Sequence, residues 1–473
     1  MQSKRLTKNL KLTVFLSLII FGLSFYANFS NFIDDPSLMA FFPPFIKGLE
    51  ITNNTHLGGE YYFIAKAIAA GKGFSNPFNE DTGPTAWMPP LYPFFMALLL
   101  TLFKSKLIVA TVIVFIKNIV LIFTGITIYN IAKETSKKLK PEWILLIYLV
   151  NIITFFRWFF QLTHDSWLIL FFINLILVYG IGIWKKRLNL KTAIIWGLIG
   201  GGGICTSPVT GFTWGLLTIF IFWIFIKNNI PLKRFLVLSA IFCLLINSVW
   251  TIRNYVVFKS FIPVKSNLFY DAYKSNFVKK NGILDESFLV NTHPIWSHHS
   301  EHTMDDNVSG ESEFSEKYLA WNSQKNEFDA YKDLGEQQYL KICQDKFKKN
   351  MVEQPSLFFK KAFNRLLSIT VAYYPYNKEY ESKFLIWRKF IHALPFCFLL
   401  LLILFRKNKS RHFWCAVFIY ICFLTPYMLI TYYIRYSIPL VPLQSLFVFW
   451  GLDLLFNKRH MQVKNKSSDL LCL

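Results

Sequence analysis

Two carboxylates stand where a general base could work beside a membrane. Glu60 opens a helical run within HLGGEYYFIAKAIAAGKGFSNPF, and Asp165 ends the short polar insert Gln161-Leu162-Thr163-His164-Asp165 between two apolar stretches. A carboxyl group under an apolar roof has its pKa raised toward working pH and can take a proton from a hydroxyl or amine. Each also has a purely structural reading. Glu60 would complement a helix dipole, and Asp165 would cap the helix that begins at Ser166-Trp167-Leu168. Three cations have a chemistry to match: Arg253 in Trp250-Thr251-Ile252-Arg253-Asn254-Tyr255, Lys265 in Pro263-Val264-Lys265-Ser266-Asn267, and Arg435 in Tyr432-Tyr433-Ile434-Arg435-Tyr436-Ser437-Ile438-Pro439. Guanidinium binds phosphate oxygens bidentately, and ammonium neutralises them as a point charge. Interfacial anchoring by Trp250, Arg253 and Tyr255, and snorkelling of Arg435 to headgroups, compete with that role. Tyr61, His164 and Asn254 adjoin these groups and are expected to position a substrate.

Other reactive side chains carry less. His293, His298, His299 and His302 cluster in a loop-like stretch, but their spacing fits neither HExxH nor a zinc ribbon, so no metal site is assigned. Asp34, Asp35, Glu80 and Asp81 are reserve loop carboxylates. The seven cysteines lie mostly in apolar stretches and form no CxxC pair, which excludes a disulfide framework. No cofactor is indicated; a divalent metal is compatible with the chemistry, but no spacing calls for one.

The elements that must position these residues are membrane helices. The chain has 473 residues, 53% hydrophobic and 18% aromatic, with 17% charged, below the roughly one quarter of soluble domains. Repeated apolar runs of about 17 to 25 residues match a hydrocarbon core of about 30 Å. Fifty-one Lys and Arg against 28 Asp and Glu give a net charge of +23. These cations flank apolar runs and form neither a basic face nor a stacking platform, which argues against nucleic acid.

Ten spans are expected: Leu12 to Phe29, then about 107–131, 142–160, 166–184, 192–205, 209–227, 234–253, 384–405, 412–431 and 437–456. Met1 to Lys11 carries four basic residues with no A-x-A-like cleavage site after the first apolar stretch, which predicts an uncleaved helix with a cytoplasmic N-terminus. Leu91 to Phe103 is too short to cross and reads as an interfacial or re-entrant helix. That arrangement puts Lys133, Lys137, Lys138, Lys140, Lys185, Lys186, Arg187, Lys191, Lys227, Lys233, Arg234, Arg406, Lys407, Lys409 and Arg411 inside, as the positive-inside rule asks. The organisation is then an N-terminal catalytic membrane module over 1–254, with its first outer loop at 30–106. An extracytoplasmic segment over 255–383, C-terminal membrane helices over 384–457 and a cytoplasmic tail over 458–473 follow. Within the outer segment, Glu327 to Tyr374 is helical in pattern and Asn276 to Asn322 loop-like.

Taken in order, these features resemble the GT-C superfamily of integral membrane glycosyltransferases, in the branch similar to bacterial family 39 and the Rgt-like proteins. The resemblance covers most of the chain. It rests on the N-terminal span, Gly71-Lys72-Gly73-Phe74-Ser75 and Pro89-Pro90-Leu91-Tyr92-Pro93 in the first outer loop, the acid in the second, the string from Trp250 through Asn267, and the late Arg435-Tyr436-Ser437-Ile438-Pro439. It implies an all-α polytopic fold of GT-C type, with about ten membrane helices, juxtamembrane helices in the first outer loop and a small, mostly helical outer domain. It also implies a polyprenyl-phosphate sugar donor and a lipid, glycan or protein acceptor, while the positive-inside count puts the site on the extracytoplasmic side, in a bacterium the periplasmic face of the plasma membrane. Glu60 matches the first-loop catalytic acid, standing alone where many relatives have an Asp-Glu doublet. Ser207 stands where many have the arginine of T-R-P. One displacement, with Asp165 assisting Glu60 and with Arg253, Lys265 and Arg435 on the phosphate, would invert the anomeric centre. A transporter or flippase of a lipid-linked or anionic substrate, and a polymerase or ligase of lipid-linked polysaccharide, are the competing functions. Lys117 is the main mid-span charge in favour of transport, whereas Arg157 sits near a span end.

Overall fold

The protein is described from a computed structural model, over residues 2–34, 60–78, 81–103, 106–155, 159–160, 164–186, 188–228, 233–278, 282–283, 327–371, 385–405 and 410–469. The histidine cluster, Asp35, Glu80 and Arg157 lie outside the described residues. Helix α1 spans Gln2–Asp34, α2 Glu60–Ala69, α3 Leu91–Phe103, α4 Lys106–Thr135 and α5 Trp143–Thr154. They are followed by α6 Ser166–Trp184, α7 Leu190–Thr206, α8 Pro208–Lys227 and α9 Lys233–Phe258. A polar module contains α10 Leu268–Tyr273, a π-helical turn Lys274–Val278, α11 Glu327–Leu334, α12 Glu336–Glu353 and α13 Pro355–Thr370. The chain closes with α14 Leu385–Phe405, α15 Arg411–Leu429, a 3₁₀ turn Ile434–Leu440 and α16 Val441–Asp469.

Among the described residues, seven helices are long and apolar enough to cross a membrane, in α1, α4, α6, α8, α9, α15 and the stretch Arg435–Phe456. The other three expected spans coincide with shorter apolar helices, Trp143–Thr154, Leu190–Thr206 and Lys389–Phe405. The 13-residue α3 is the short helix anticipated after Pro90, and with α2 it gives the first polar loop two helices. Several helices are apolar all round, as a membrane interior demands. Polar side chains then join helices to one another: Trp450 Nε1 donates to Thr135 Oγ1 at 2.8 Å, Asn151 Nδ2 to Ser445 Oγ at 2.9 Å, and Asn174 Nδ2 to Thr124 Oγ1 at 2.9 Å. Small residues bring α7 close to α9. A Cβ on Gly197 would run into the Ser239 carbonyl oxygen and Phe242, and one on Gly201 into Ile246.

The two ends of the bundle differ chemically. At one end Glu134 of α4 pairs with Lys185 at 2.6 Å and meets His412 at 3.1 Å. There Asp453 of α16 accepts from the backbone N–H groups of Lys137, Lys138 and Leu139, and Arg411 Nη1 donates to the Trp184 carbonyl. These are the loops rich in Lys and Arg. At the other end the start of α6, the α7–α8 junction, the end of α9, the end of α15 and the start of α16 come together with the first polar loop and the polar module.

Candidate functional site

At this second end lies a cavity of about 570 Å³. Each of its walls comes from a helix end. Glu60 and Tyr61 form the first turn of α2; Trp87, Met88 and Pro89 lead into α3; Asp165 precedes α6; Thr206 to Val209 join α7 to α8; Lys265, Tyr270 and Asp271 follow α9; Tyr427 ends α15; Arg435 and Tyr436 lie in the 3₁₀ turn. Of the residues expected from sequence to act there, Glu60, Tyr61, Asp165, Lys265 and Arg435 share this one cavity.

The carboxylates are set differently. Burial raises the Glu60 pKa; its own backbone N–H and Arg435 pull it down, Asp271 pushes it up, and the nearby Trp87 indole N–H lowers it. Burial likewise raises Asp165, opposed first by Arg435 and then by a hydrogen bond from the Tyr61 hydroxyl to Oδ2 at 2.8 Å. Asp165 does occupy the residue before α6, yet its side chain makes no capping bond; its oxygen is spent on Tyr61 instead. Glu60 is both the first residue of α2 and a wall of the cavity.

The cations divide. Arg435 turns inward: its Nη1 donates to His164 Nδ1 at 2.9 Å, and its guanidinium stacks 5.1 Å and 5.6 Å from the Tyr433 and Tyr436 ring centres. His164 therefore sits behind Arg435 and orients it, its Nδ1 fixed as an acceptor. Lys265 lies 3.5 Å from Asp271 Oδ2. Trp250 positions the turn that carries Lys265, since its Nε1 donates to the Val264 carbonyl at 2.7 Å.

Arg253, expected to hold phosphate, is not brought to this cavity with Lys265 and Arg435. Its Nη2 donates to the Phe74 carbonyl at 2.8 Å and its Nη1 to the Thr85 carbonyl at 2.7 Å, and it is not on the cavity wall. The stretches it holds, 74–78 and 81–87, form a strap whose two arms are joined by Asn76 N–H to Gly83 O and Thr85 N–H to Phe74 O. Asn76 and Gly83 turn it with left-handed φ of 56° and 79°. Asn254 does not face the cavity either; its Nδ2 donates to the Ile262 carbonyl and its Oδ1 accepts from Arg253.

Sequence reasoning passed over Trp87, Asp271 and the buried Glu336 of α12. Asp271 lies on the cavity wall, its pKa raised by burial against the pull of Lys265. Its one signal is an acid alone in the aromatic string Leu268-Phe269-Tyr270-Asp271-Ala272-Tyr273. Ser207, at the position noted for its missing arginine, lines the cavity within hydrogen-bonding reach of Tyr427. Among the described residues, no group of three or more His, Cys, Asp or Glu is arranged to hold a metal ion.

Compared with protein-family models, with curated proteins and with solved structures, the chain matches none.

Proposed function

We propose that the chain is a GT-C-type membrane glycosyltransferase, transferring a sugar from a polyprenyl-phosphate donor to a lipid, glycan or protein acceptor at the outer face of the plasma membrane. The observation that carries this reading is the shared cavity: Glu60, Asp165 and Asp271 stand on the same walls as Lys265 and Arg435, where the ends of apolar helices meet the polar module. A lipid-phosphate donor needs such a boundary, with its tail in the bilayer and its charge among cations.

In this account Lys265 and Arg435 hold the donor phosphate, with His164 orienting Arg435. Glu60 accepts the proton of the acceptor hydroxyl or amine while the acceptor heteroatom bonds to the anomeric carbon. The bond from that carbon to the phosphate oxygen breaks, its electron pair leaving with the polyprenyl phosphate. The two cations stabilise charge where it develops, so the phosphate needs no proton to leave. Asp165, held by Tyr61, assists by orienting the acceptor. Attack opposite the leaving group inverts the anomeric centre.

The test is transfer of radiolabelled sugar from a panel of polyprenyl-phosphate sugars by the purified protein in lipid. Wild type is expected to move label into an acceptor, and correctly inserted Glu60→Gln is not. Movement of a lipid-linked substrate across sealed vesicles with no donor consumed would replace this reading with transport.

A further inference from the structure

Glu336 is the first residue of α12 and lies buried beneath the cavity wall rather than on it. Its two oxygens take four donors. Oε1 accepts from the Ala86 N–H at 2.9 Å and the Ser266 hydroxyl at 2.6 Å; Oε2 accepts from the Tyr331 hydroxyl at 3.0 Å and from the Thr85 hydroxyl. Gly335, with a left-handed φ of 75°, makes the turn that delivers Glu336 there. One carboxylate thus joins the strap, the turn after α9 and α11.

Its neighbours along the chain belong to the site. Ala86 precedes Trp87, which lines the cavity together with Glu60, and the Ala86 carbonyl in turn accepts from the Ser266 N–H at 2.8 Å. Ser266 follows Lys265, a cation of the cavity. Arg253 grips the same strap through the carbonyls of Phe74 and Thr85, so the strap is clasped between a membrane helix and the polar module. A buried carboxyl group is costly to desolvate, and an apolar residue would fill that space without the cost; the four donors, drawn from three separate stretches, are what call for acceptor oxygens there.

We propose that Glu336 is a positioning residue of the cavity, holding Trp87 and Lys265 in register with Glu60, so that the polar module completes the site. Its expected effect on transfer rests on the donor reading above, whereas its effects on the strap and on Glu60 do not.

The test compares wild type, Glu336→Ala and Glu336→Gln in nanodiscs by three measurements. Hydrogen exchange in Glu336→Ala should speed by about tenfold or more in peptides containing Ala86 and Ser266, with peptides of α7 and α16 unchanged. Modification of Glu60 by an apolar carbodiimide, read by mass spectrometry, should also quicken about tenfold as Trp87 is released. In transfer, kcat should fall and the donor KM should rise. Glu336→Gln, which keeps an acceptor for Ala86 and Ser266, should restore most of each. Unchanged exchange in Glu336→Ala would remove the clasp. Faster exchange with unaltered Glu60 modification would leave a clasp that positions nothing, and would overturn the proposal even if no donor were turned over by any variant.

Discussion

The pKa of Glu60 is raised by burial and lowered first by its own backbone N–H and then by Arg435, with Asp271 adding to burial. A base works deprotonated, so kcat/KM should climb with pH through a pKa above the ordinary glutamate value of 4.5. Asp271→Asn removes a neighbouring negative charge and should carry that acid limb to lower pH. Arg435→Gln removes a positive one and should carry it higher; a limb that stays in place in both variants would exclude Glu60 as the titrating group. Loss of Lys265 or Arg435 should weaken polyprenyl-phosphate binding by roughly 10- to 100-fold, the scale of a charge-assisted hydrogen bond, measured as Kd in nanodiscs. Arg253→Ala should instead leave the intrinsic phosphate contacts in place and loosen the strap. Glu60, Asp165, Lys265 and Arg435 were legible because charge at the end of an apolar run is conspicuous. Arg253 was equally conspicuous, but its placement on the carbonyls of Phe74 and Thr85 was not legible, because those partners lie 179 and 168 residues away. Asp271 and Glu336 were missed because a carboxylate in a polar segment looks like any other until folding buries it.

Among the elements, the close approach of α7 to α9 and the docking of the polar module each depend on single residues. Gly197→Ala should destabilise by about 1–3 kcal/mol, since the methyl meets the Ser239 backbone and not a yielding side chain; thermal denaturation in detergent would measure it. Arg365 of α13 is buried, and it donates to the carbonyls of Met428, Leu429 and Gly282 and to Asn276 Oδ1. Burial lowers its pKa to about 10, still above neutrality, so it docks the polar module on the end of α15 as a cation. Arg365→Ala should cost on the order of 3 kcal/mol, visible as early loss of protection in α13 while α16 stays folded. Apolar run length gave the positions of α1, α4, α6, α8, α9 and α15 closely, because hydrophobic thickness constrains them. It also located Trp143–Thr154 and Leu190–Thr206, which are apolar but shorter than a full crossing. The helices of 327–370 followed from their spacing, but nothing local foretold which face would bury Glu336.

At the scale of the whole molecule, the loops rich in Lys and Arg gather at one end and the cavity at the other. The positive-inside rule then predicts that the cavity opens outside. A single cysteine at Lys66, exposed on α2, should react with a membrane-impermeant maleimide in intact cells, and one at Lys138 only after permeabilisation, in a background lacking the native cysteines. The reverse pattern would put the cavity in the cytoplasm. The central claim is that phosphate is held by Lys265 and Arg435 while Glu60 does the chemistry. Single-turnover transfer from a polyprenyl-phosphate sugar, measured with donor binding on the same nanodisc preparations, tests it most directly. Glu60→Gln should bind donor as wild type does and transfer at least about 100-fold more slowly, and Lys265→Ala with Arg435→Gln should fail to bind. Wild-type transfer rates in Glu60→Gln, or undiminished binding in the double variant, would contradict the account.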